Sequence, residues 1–347
     1  MSFEVLAATV ARALREPDHS VVKFIWHGGE PTVLPKSFYE KAVLLQSRFR
    51  QPGQIIRNSI QTNGTRIDDD WARFLRRNEF EVSISIDGPP SIHDRTRRYA
   101  SGRSSFADVM AGLRKLRGYG FRPGVLMVID REALALGPDA IFEFFVEHDI
   151  RSYGLLAAKP VNLPGAQPGT PVGHYVTPRE MNQFLIGYFD RWLAHGDPDI
   201  HVREFSGLLR RVAGNRPNLC TLAGNCFGRF YLVESNGDVA HCDVFVGDPA
   251  YNLGNVLTDS FATLRCGESL QGLQMAHEQV LGQLRACPEF NVCNGWCPHE
   301  LYISSRHDPN FDGSCCGLRE LIEHIRRRTT PSTRKGAPDC SVVEVVP

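Results

Sequence analysis

The chain has 347 residues and ten cysteines, and every cysteine lies at or beyond Cys220. That segregation constrains the fold more than any other feature. The long first part must be held by apolar packing alone, whereas the later part has thiols available for metal. The opening MSFEVLAATVARALREPD lacks the charged-then-apolar order and the cleavage site of a secretory leader, so a cytoplasmic location is expected. No apolar run approaches the ~18–20 residues that span a bilayer. In a reducing compartment, clustered cysteines hold metal more often than they form disulfides. Formal net charge is zero, which argues against nucleic acid or a membrane surface as partner.

With 42% of its residues hydrophobic, the chain can fill one large α/β domain or two. Short apolar runs followed by turn residues predict buried strands over Val21–Trp26, Ile56–Gln61, Glu81–Asp87, Pro123–Ile129 and Ser152–Leu156. Between them the apolar spacing becomes helical. Phe38, Ala42, Leu45 and Phe49 share one face, as do Phe106, Val109, Met110, Leu113 and Leu116. The alternation predicts βα units and a parallel sheet, open or closed into a partial barrel. A helix over Phe3–Leu14, its apolar side formed by Phe3, Leu6, Ala7, Val10 and Leu14, is expected to come first, with no strand before it.

After residue 160 the rhythm breaks. The run KPVNLPGAQPGTPVGH reads as a linker or lid. Helices are expected over Pro178–His195 and Val202–Ala213. The final RRRTTPSTRKGAPDCSVVEVVP has turn formers without periodicity, so disorder is expected there and Cys340 is incidental. The expected division is 1–160 for the barrel-like part, 161–215 for a linker with helices, 216–327 for the cysteine-rich part and 328–347 for the tail.

The first strand runs into Gly28-Gly29-Glu30-Pro31. Carboxyl ends of parallel strands are where α/β proteins place ligands. Two glycines let the backbone approach a ligand closely, and a glutamate offers a carboxylate to an amine. A tight turn that merely caps the strand accounts for the same four residues. The next strand ends at Asn63-Gly64, and the third is followed by Asp87 and Arg97, with Ser85 near its end. Three polar strand ends in succession suggest one rim that binds a small molecule carrying both an amine and a carboxylate. The cysteines are spaced Cys220-x5-Cys226-x15-Cys242 and Cys287-x5-Cys293-x3-Cys297-x17-Cys315-Cys316. Eight cysteines in two groups suit two zinc ions or two iron–sulfur clusters equally well.

In their order and spacing, WHGGEP, SIQTNGT and SISIDGP with SIHDRTR resemble the radical S-adenosylmethionine enzymes. More narrowly they resemble the anaerobic sulfatase-maturating enzymes and related peptide maturases, over about residues 3–325. The resemblance implies an α/β fold, a partial (β/α)6 TIM-like barrel missing its first strand, plus a C-terminal cysteine-rich SPASM extension. It implies S-adenosylmethionine as cofactor, its methionyl amine held by Gly28, Gly29 and Glu30 and its carboxylate by Ser85 and Arg97, with Asn63 and Asp87 on the same rim. NGDVAHCDVFVGDPAYNLGNV and CPEFNVCNGWCPHE resemble the SPASM segment, which implies two auxiliary 4Fe–4S clusters. Carried over, Cys220, Cys226, Cys242 and Cys297 would hold the first, and Cys287, Cys293 and Cys315 the second. A cysteine usual in the family is Leu284 here, so the second cluster lacks an obvious fourth ligand. Cys316, Cys266, a water or a peptide group are the candidates, and an open or differently completed site is expected. Asp243 would act as the base that deprotonates the oxidised side chain, the alternative being that it caps a turn.

The family's radical cluster is held by Cys-x3-Cys-x2-Cys ahead of the first barrel helix, and this chain has no such motif. A start assigned too late, with the motif in frame upstream, is expected; a variant without the radical cluster is the other reading. The exposed edge of the strand at Val21–Trp26 should then show no cover. The functions implied are oxidation of a sulfatase cysteine or serine to formylglycine, or crosslinking of a short precursor peptide through a cyclophane or thioether. A non-catalytic iron–sulfur protein that binds peptide or passes electrons is the rival outside enzymology. As written, the chain would lack the means to start radical chemistry. The partners expected are a protein or peptide substrate and a reducing electron donor.

Overall fold

The computed structural model describes residues 1–16, 20–159, 175–224, 226–243 and 249–330. Six strands form one parallel sheet in chain order: β1 (Val21–Trp26), β2 (Ile55–Thr62), β3 (Glu81–Ser85), β4 (Gly124–Ile129), β5 (Ser152–Ala157) and β6 (His201–Val202). The first five lie where apolar runs predict them. β6 has two residues, too few to leave a pattern, and falls within the stretch read as linker and helices. Helices α2 (Lys36–Phe49), α3 (Asp69–Arg77), α5 (Phe106–Gly118), α7 (Pro138–Glu147) and α8 (Pro178–His195) return the chain between strands, while α4 (Pro90–Thr96) and α6 (Arg131–Leu136) are short helices just past the ends of β3 and β4. Their starts are encoded locally. Asp68 accepts the Trp71 N–H at 2.7 Å at the head of α3. Thr177 and Glu180 form a reciprocal capping box around Pro178 at the head of α8.

The runs at β2, β3 and β4 are buried on one face only, whereas β1 has no fully buried residue and β5 buries Tyr153, Gly154 and Leu155 in succession. In β4, Val125, Met127 and Ile129 lie in the core, whereas Gly124, Leu126 and Val128 are half-buried. The register carries that second face across the sheet: Ile25 pairs Ser59, Gln61 pairs Ser83, Ser85 pairs Leu126 and Leu126 pairs Gly154. Paired residues point the same way, so one face of the sheet is packed under helices and the other is open. Ser59, Gln61, Ser83 and Ser85 make the open face polar. The exposed apolar residues Val21, Ile25, Ile55 and Leu156 belong to this same face.

Among the described residues β1 is laddered only to β2. The packed face of β1 is covered by α1 (Phe3–Leu14). Leu6, Val10 and Leu14 are buried with Ala42 against Val22, Phe24 and Trp26. The other side of α1 lies on a second, antiparallel sheet of β7 (Tyr231–Val233), β8 (Asp238–His241) and β9 (Asn252–Asn255). There Val5 is buried with Val239, Val256, Phe261 and Leu264. Arg12 donates to the Leu257 carbonyl at 2.9 Å, and Glu16 accepts the Ala262 N–H at 2.9 Å while facing Arg265 at 3.3 Å. Phe3, expected on the apolar side, is exposed.

The remaining helices are α9 (Arg203–Val212), α10 (Phe261–Cys266), α11 (Glu268–Leu284), α12 (Phe290–Cys293), α13 (Pro298–His307) and α14 (Arg319–Thr329). The main core runs unbroken from the sheet into this part, with Leu321, Ile322 and Ile325 of α14 in the same cluster as Phe184, Tyr188 and Phe205. The linker or lid at 160–174 and residues 331–347 of the tail, with Cys340, lie outside the described residues. Among those described, no helix is long and apolar enough to cross a membrane.

Because α1 joins two sheets, its buried side chains should matter more than their position near a chain end suggests. Leu14→Ala should lower stability by about 2–5 kcal/mol, read as a drop in the denaturant midpoint. Phe3→Ala should change it by no more than ~0.5 kcal/mol.

Candidate functional site

The carboxyl ends of β1–β5 share one rim. At the end of β1, Gly28 and Gly29 have φ of 89° and 53°, and a Cβ on either would meet nothing within 4 Å. Both glycines are needed for the turn, and both leave open space beside the backbone. Glu30 faces inward to its neighbours. One carboxylate oxygen accepts the Thr32 N–H (2.9 Å), the Thr32 hydroxyl (2.5 Å) and the Thr62 hydroxyl (2.7 Å), and the other accepts the Asn63 N–H at 2.7 Å. Four donors meet most of the capacity of a carboxylate. Glu30 therefore braces the end of β1 against the end of β2. Asn63 folds onto its own turn, with Oδ1 accepting from the Thr65 N–H at 3.0 Å and its hydroxyl at 2.8 Å.

Beyond β3, Ser85 accepts a hydrogen bond from Gln61 at 2.9 Å on the open face. Asp87 is buried and takes the Arg97 guanidinium in a fork, Nε at 2.5 Å and a terminal nitrogen at 3.3 Å, while accepting the Val128 N–H at 2.9 Å. Arg97 thus pairs with Asp87, and Ser85, expected beside it at the cofactor's carboxylate, bonds Gln61. Sequence reasoning missed the support behind this pair. His93 is fully buried; its Nδ1 accepts the Asp87 N–H at 3.2 Å and its Nε2 lies 3.2 Å from the Ser105 hydroxyl, which donates to the Arg97 carbonyl. The chain of bonds sets the tautomer: Nδ1 accepts, so Nε2 carries the proton. Asp87, Arg97, Thr96, Ile92, Val128, Asp130 and Ala158 line a cavity of about 320 Å³ at the ends of β3, β4 and β5.

The cysteine-rich part reaches this rim at two points. His27, the residue after β1, places Nδ1 3.5 Å from Asp243 Oδ2, both side chains about half exposed. Lys159, beyond β5, pairs with Glu300 in the first turn of α13, beside the buried His299. Asp243 also receives the Cys242 thiol at 3.2 Å. The bond from His27 is the main cause holding its carboxyl below the usual range. His27 has no sequence signal beyond its place after a strand, since its partner is more than two hundred positions away.

The thiols gather in two neighbourhoods. Buried Cys226 interacts electrostatically with Cys220 and with Cys297, and burial pushes it up to about 11. Its Sγ lies 3.7 Å from His241. In the second neighbourhood Cys315 hydrogen-bonds Cys287 and Cys316, and Cys316 approaches Cys293 with 3.5 Å between sulfurs. Leu284, where the resemblance expects a cysteine, is a fully buried core residue. Among the described residues no three cysteine, histidine or carboxylate side chains converge on one point as a single metal ion requires.

Comparison with known proteins gives the family and the fold. A sequence profile of the Radical SAM superfamily matches residues 1–132. The serine-type anaerobic sulfatase-maturating enzyme of Bacteroides thetaiotaomicron is 30% identical over 338 residues, covering 94% of this chain and 81% of that protein. The chain belongs to the anaerobic sulfatase-maturating enzyme family of the radical SAM superfamily. The cysteine-type enzyme of Clostridium perfringens is 29% identical, covering 93% of this chain and 86% of its own length. The solved structure of native anSMEcpe with bound AdoMet superposes with a TM-score of 0.82 at 27% identity, covering 94% of this chain and 89% of that one. The same protein with AdoMet and the Kp18Cys peptide gives 0.80.

The residues present fit part of what a radical SAM enzyme needs: thiols for two auxiliary clusters and a rim for the cofactor, but no Cys-x3-Cys-x2-Cys for the radical cluster. Soft thiolates in two groups are the donor set of iron–sulfur clusters. The glycine turn with open space at β1, the polar open face and the cavity at β3–β5 form one concave, partly apolar rim of the kind that holds a nucleoside.

Burial holds His93 below its usual value, against Asp87 and Asp94 and together with Arg97. Unfolded, it protonates near ~6.5. Below that pH the unfolded chain binds the extra proton, so the contribution of His93 to stability is complete above ~6.5 and is lost as pH falls. The denaturant midpoint should fall between pH 7 and pH 5.5, and His93→Gln should flatten that slope. An unchanged slope would show that His93 is not the titrating group.

Proposed function

We propose that this protein is a maturase that binds S-adenosylmethionine at the rim and oxidises a cysteine or serine side chain of a sulfatase peptide to formylglycine. The observation that carries the reading is Asp243, a carboxylate from the cysteine-rich part, held by His27 at the end of β1. A base is needed there. Conversion of a CH–OH or CH–SH group to C=O or C=S removes one hydrogen atom and one electron from the carbon and one proton from the oxygen or sulfur; with cysteine, water then replaces the sulfur and hydrogen sulfide leaves. Removal of the hydrogen atom and of the electron is the chemistry that S-adenosylmethionine and iron–sulfur clusters supply when bound. Asp243 takes the proton. His27 keeps the carboxylate ionised.

The other residues bind and orient. The Gly28-Gly29 turn would let the methionyl end of the cofactor approach the backbone, with Glu30 stiffening that wall and Asn63 fixing the next turn. Ser85 and Gln61 offer polar contacts on the open face. The Asp87–Arg97 pair, with Ile92, Val128 and Ala158, would take the nucleoside. Cys220, Cys226, Cys242 and Cys297 would hold one auxiliary cluster, and Cys287, Cys293 and Cys315 belong to the other. The structures of anSMEcpe with AdoMet and peptides support the ligand classes.

Because this sequence carries no Cys-x3-Cys-x2-Cys for the radical cluster, the test uses the full chain extended at its N-terminus by a segment bearing that motif; reconstituted and incubated anaerobically with S-adenosylmethionine and sulfatase peptides carrying cysteine or serine, it should yield an aldehyde that hydrazide traps. Asp243→Asn should lower the rate ~10²-fold or more and leave cofactor affinity within about twofold. Crosslinked peptide without aldehyde would assign the protein to peptide crosslinking. Unchanged peptide from a holoenzyme that binds the cofactor would contradict the reading.

Adding a side chain at Gly28 should hurt both fold and binding. Gly28→Ala forces an L-residue into a left-handed turn, at about 1–2 kcal/mol, and fills the open side. Calorimetric titration should show weaker S-adenosylmethionine binding, with the same variant melting lower.

A further inference from the structure

Cys316 is the one thiol of the second neighbourhood whose place in sequence argues against a ligand, since it directly follows Cys315. The structure removes that objection. Cys316 is 3% exposed and its sulfur lies 3.5 Å from that of Cys293. Both belong to the main core. Cys315, only half-buried, turns the other way to meet Cys287 while still touching Cys316. The backbone is fixed just beyond the pair. Gly317 has φ of 100°, and a Cβ there would lie 2.9 Å from Pro178 at the head of α8, so glycine is required and the turn is pressed against a helix end. The Gly317 N–H points back to the Cys315 sulfur at 3.3 Å. Arg319, in the first turn of α14, lies close enough to Cys287 and Cys315 to interact with their charges. Cys293 is held equally firmly. It ends α12, followed by Asn294 in the left-handed region, whose side chain donates to the Leu222 carbonyl at 2.8 Å.

Four thiols on three short elements, with a cation beside them and apolar core behind, have the composition of a complete iron–sulfur ligand set. Exposed Cys266 has no place in it. We infer that Cys316 is the fourth thiolate of the second cluster, joining Cys287, Cys293 and Cys315, so that this cluster has a protein ligand on every iron. Leu284 then acts as core filling only. The inference rests on the iron–sulfur reading of the family and overrides the open site expected from sequence.

The test uses the full chain, purified without metal and reconstituted anaerobically with ferrous iron and sulfide. Two clusters correspond to about eight irons per chain. Cys316→Ala should lose one iron, with the electron paramagnetic signal of a three-iron cluster, or lose the second cluster and about half of the iron. Cys266→Ala should match the natural chain. Leu284→Cys added to Cys316→Ala should restore iron, because residue 284 precedes Cys287 by one turn and its carbonyl accepts the Cys287 N–H at 3.0 Å. A measurement on the unmutated protein guards against misfolding of the variants: cyanide added to the reduced holoprotein should leave the signal of the second cluster unshifted. Full iron in Cys316→Ala with no new signal, or a cyanide-shifted signal in the natural chain, would overturn the inference. A natural chain that takes up no iron would instead overturn the family reading beneath it.

Discussion

Six parallel strands laid side by side in chain order can deliver their carboxyl ends to one rim only, and that constraint governs the rest of the molecule. It puts the glycine turn after β1, the Asn63 turn after β2 and the Asp87–Arg97 pair after β3 within one concave edge. It also decides which face of the sheet stays open, because helices that return the chain cover the other. The polar residues of that face, Gln61 and Ser85 among them, are the consequence of being left uncovered.

Among the described residues, the cysteine-rich part is bound to this scaffold by apolar packing and by polar ties. The helix α1 sits between β1 and the small antiparallel sheet, burying Leu6, Val10 and Leu14 on one side and Val5 on the other. The core continues through Leu321 and Ile325 of α14. The polar ties, His27 with Asp243 and Lys159 with Glu300, close over the rim itself. Apolar packing supplies the strength, and the polar ties set where Asp243 lies relative to the open face. An exposed ion pair contributes little to stability, so the position of His27 is better understood as aim than as glue.

Much of the fold was legible because its signals are local. Apolar runs bounded by turn residues located β1–β5, and Phe3–Leu14 and Pro178–His195 were readable to the residue. β6 was not, since two residues carry no period. The spacing within FEVLAATVARAL gave α1 one apolar side; its second covered side depends on β7–β9, far along the chain. Strand ends marked the rim, and Gly28, Gly29, Asn63, Ser85, Asp87 and Arg97 do lie at or near them. Their pairings were not legible. Glu30 braces Thr62 and Asn63, and Arg97 serves Asp87, because the nearest donor or acceptor is set by tertiary approach and not by spacing. His93 and His27 escaped notice for the same reason. Cysteine spacing separated the thiols into two groups, yet it argued against Cys316, which only the turn at Gly317 brings inward.

The central claim is that the rim at the ends of β1–β5 is the cofactor site and that Asp243 belongs to it. Hydrogen–deuterium exchange of the anaerobically reconstituted protein, with and without S-adenosylmethionine, tests this directly. Slowed exchange concentrated at residues 26–31, 61–65, 85–97 and 240–243 is predicted. Unchanged exchange at those four segments, with protection elsewhere or nowhere, would contradict it.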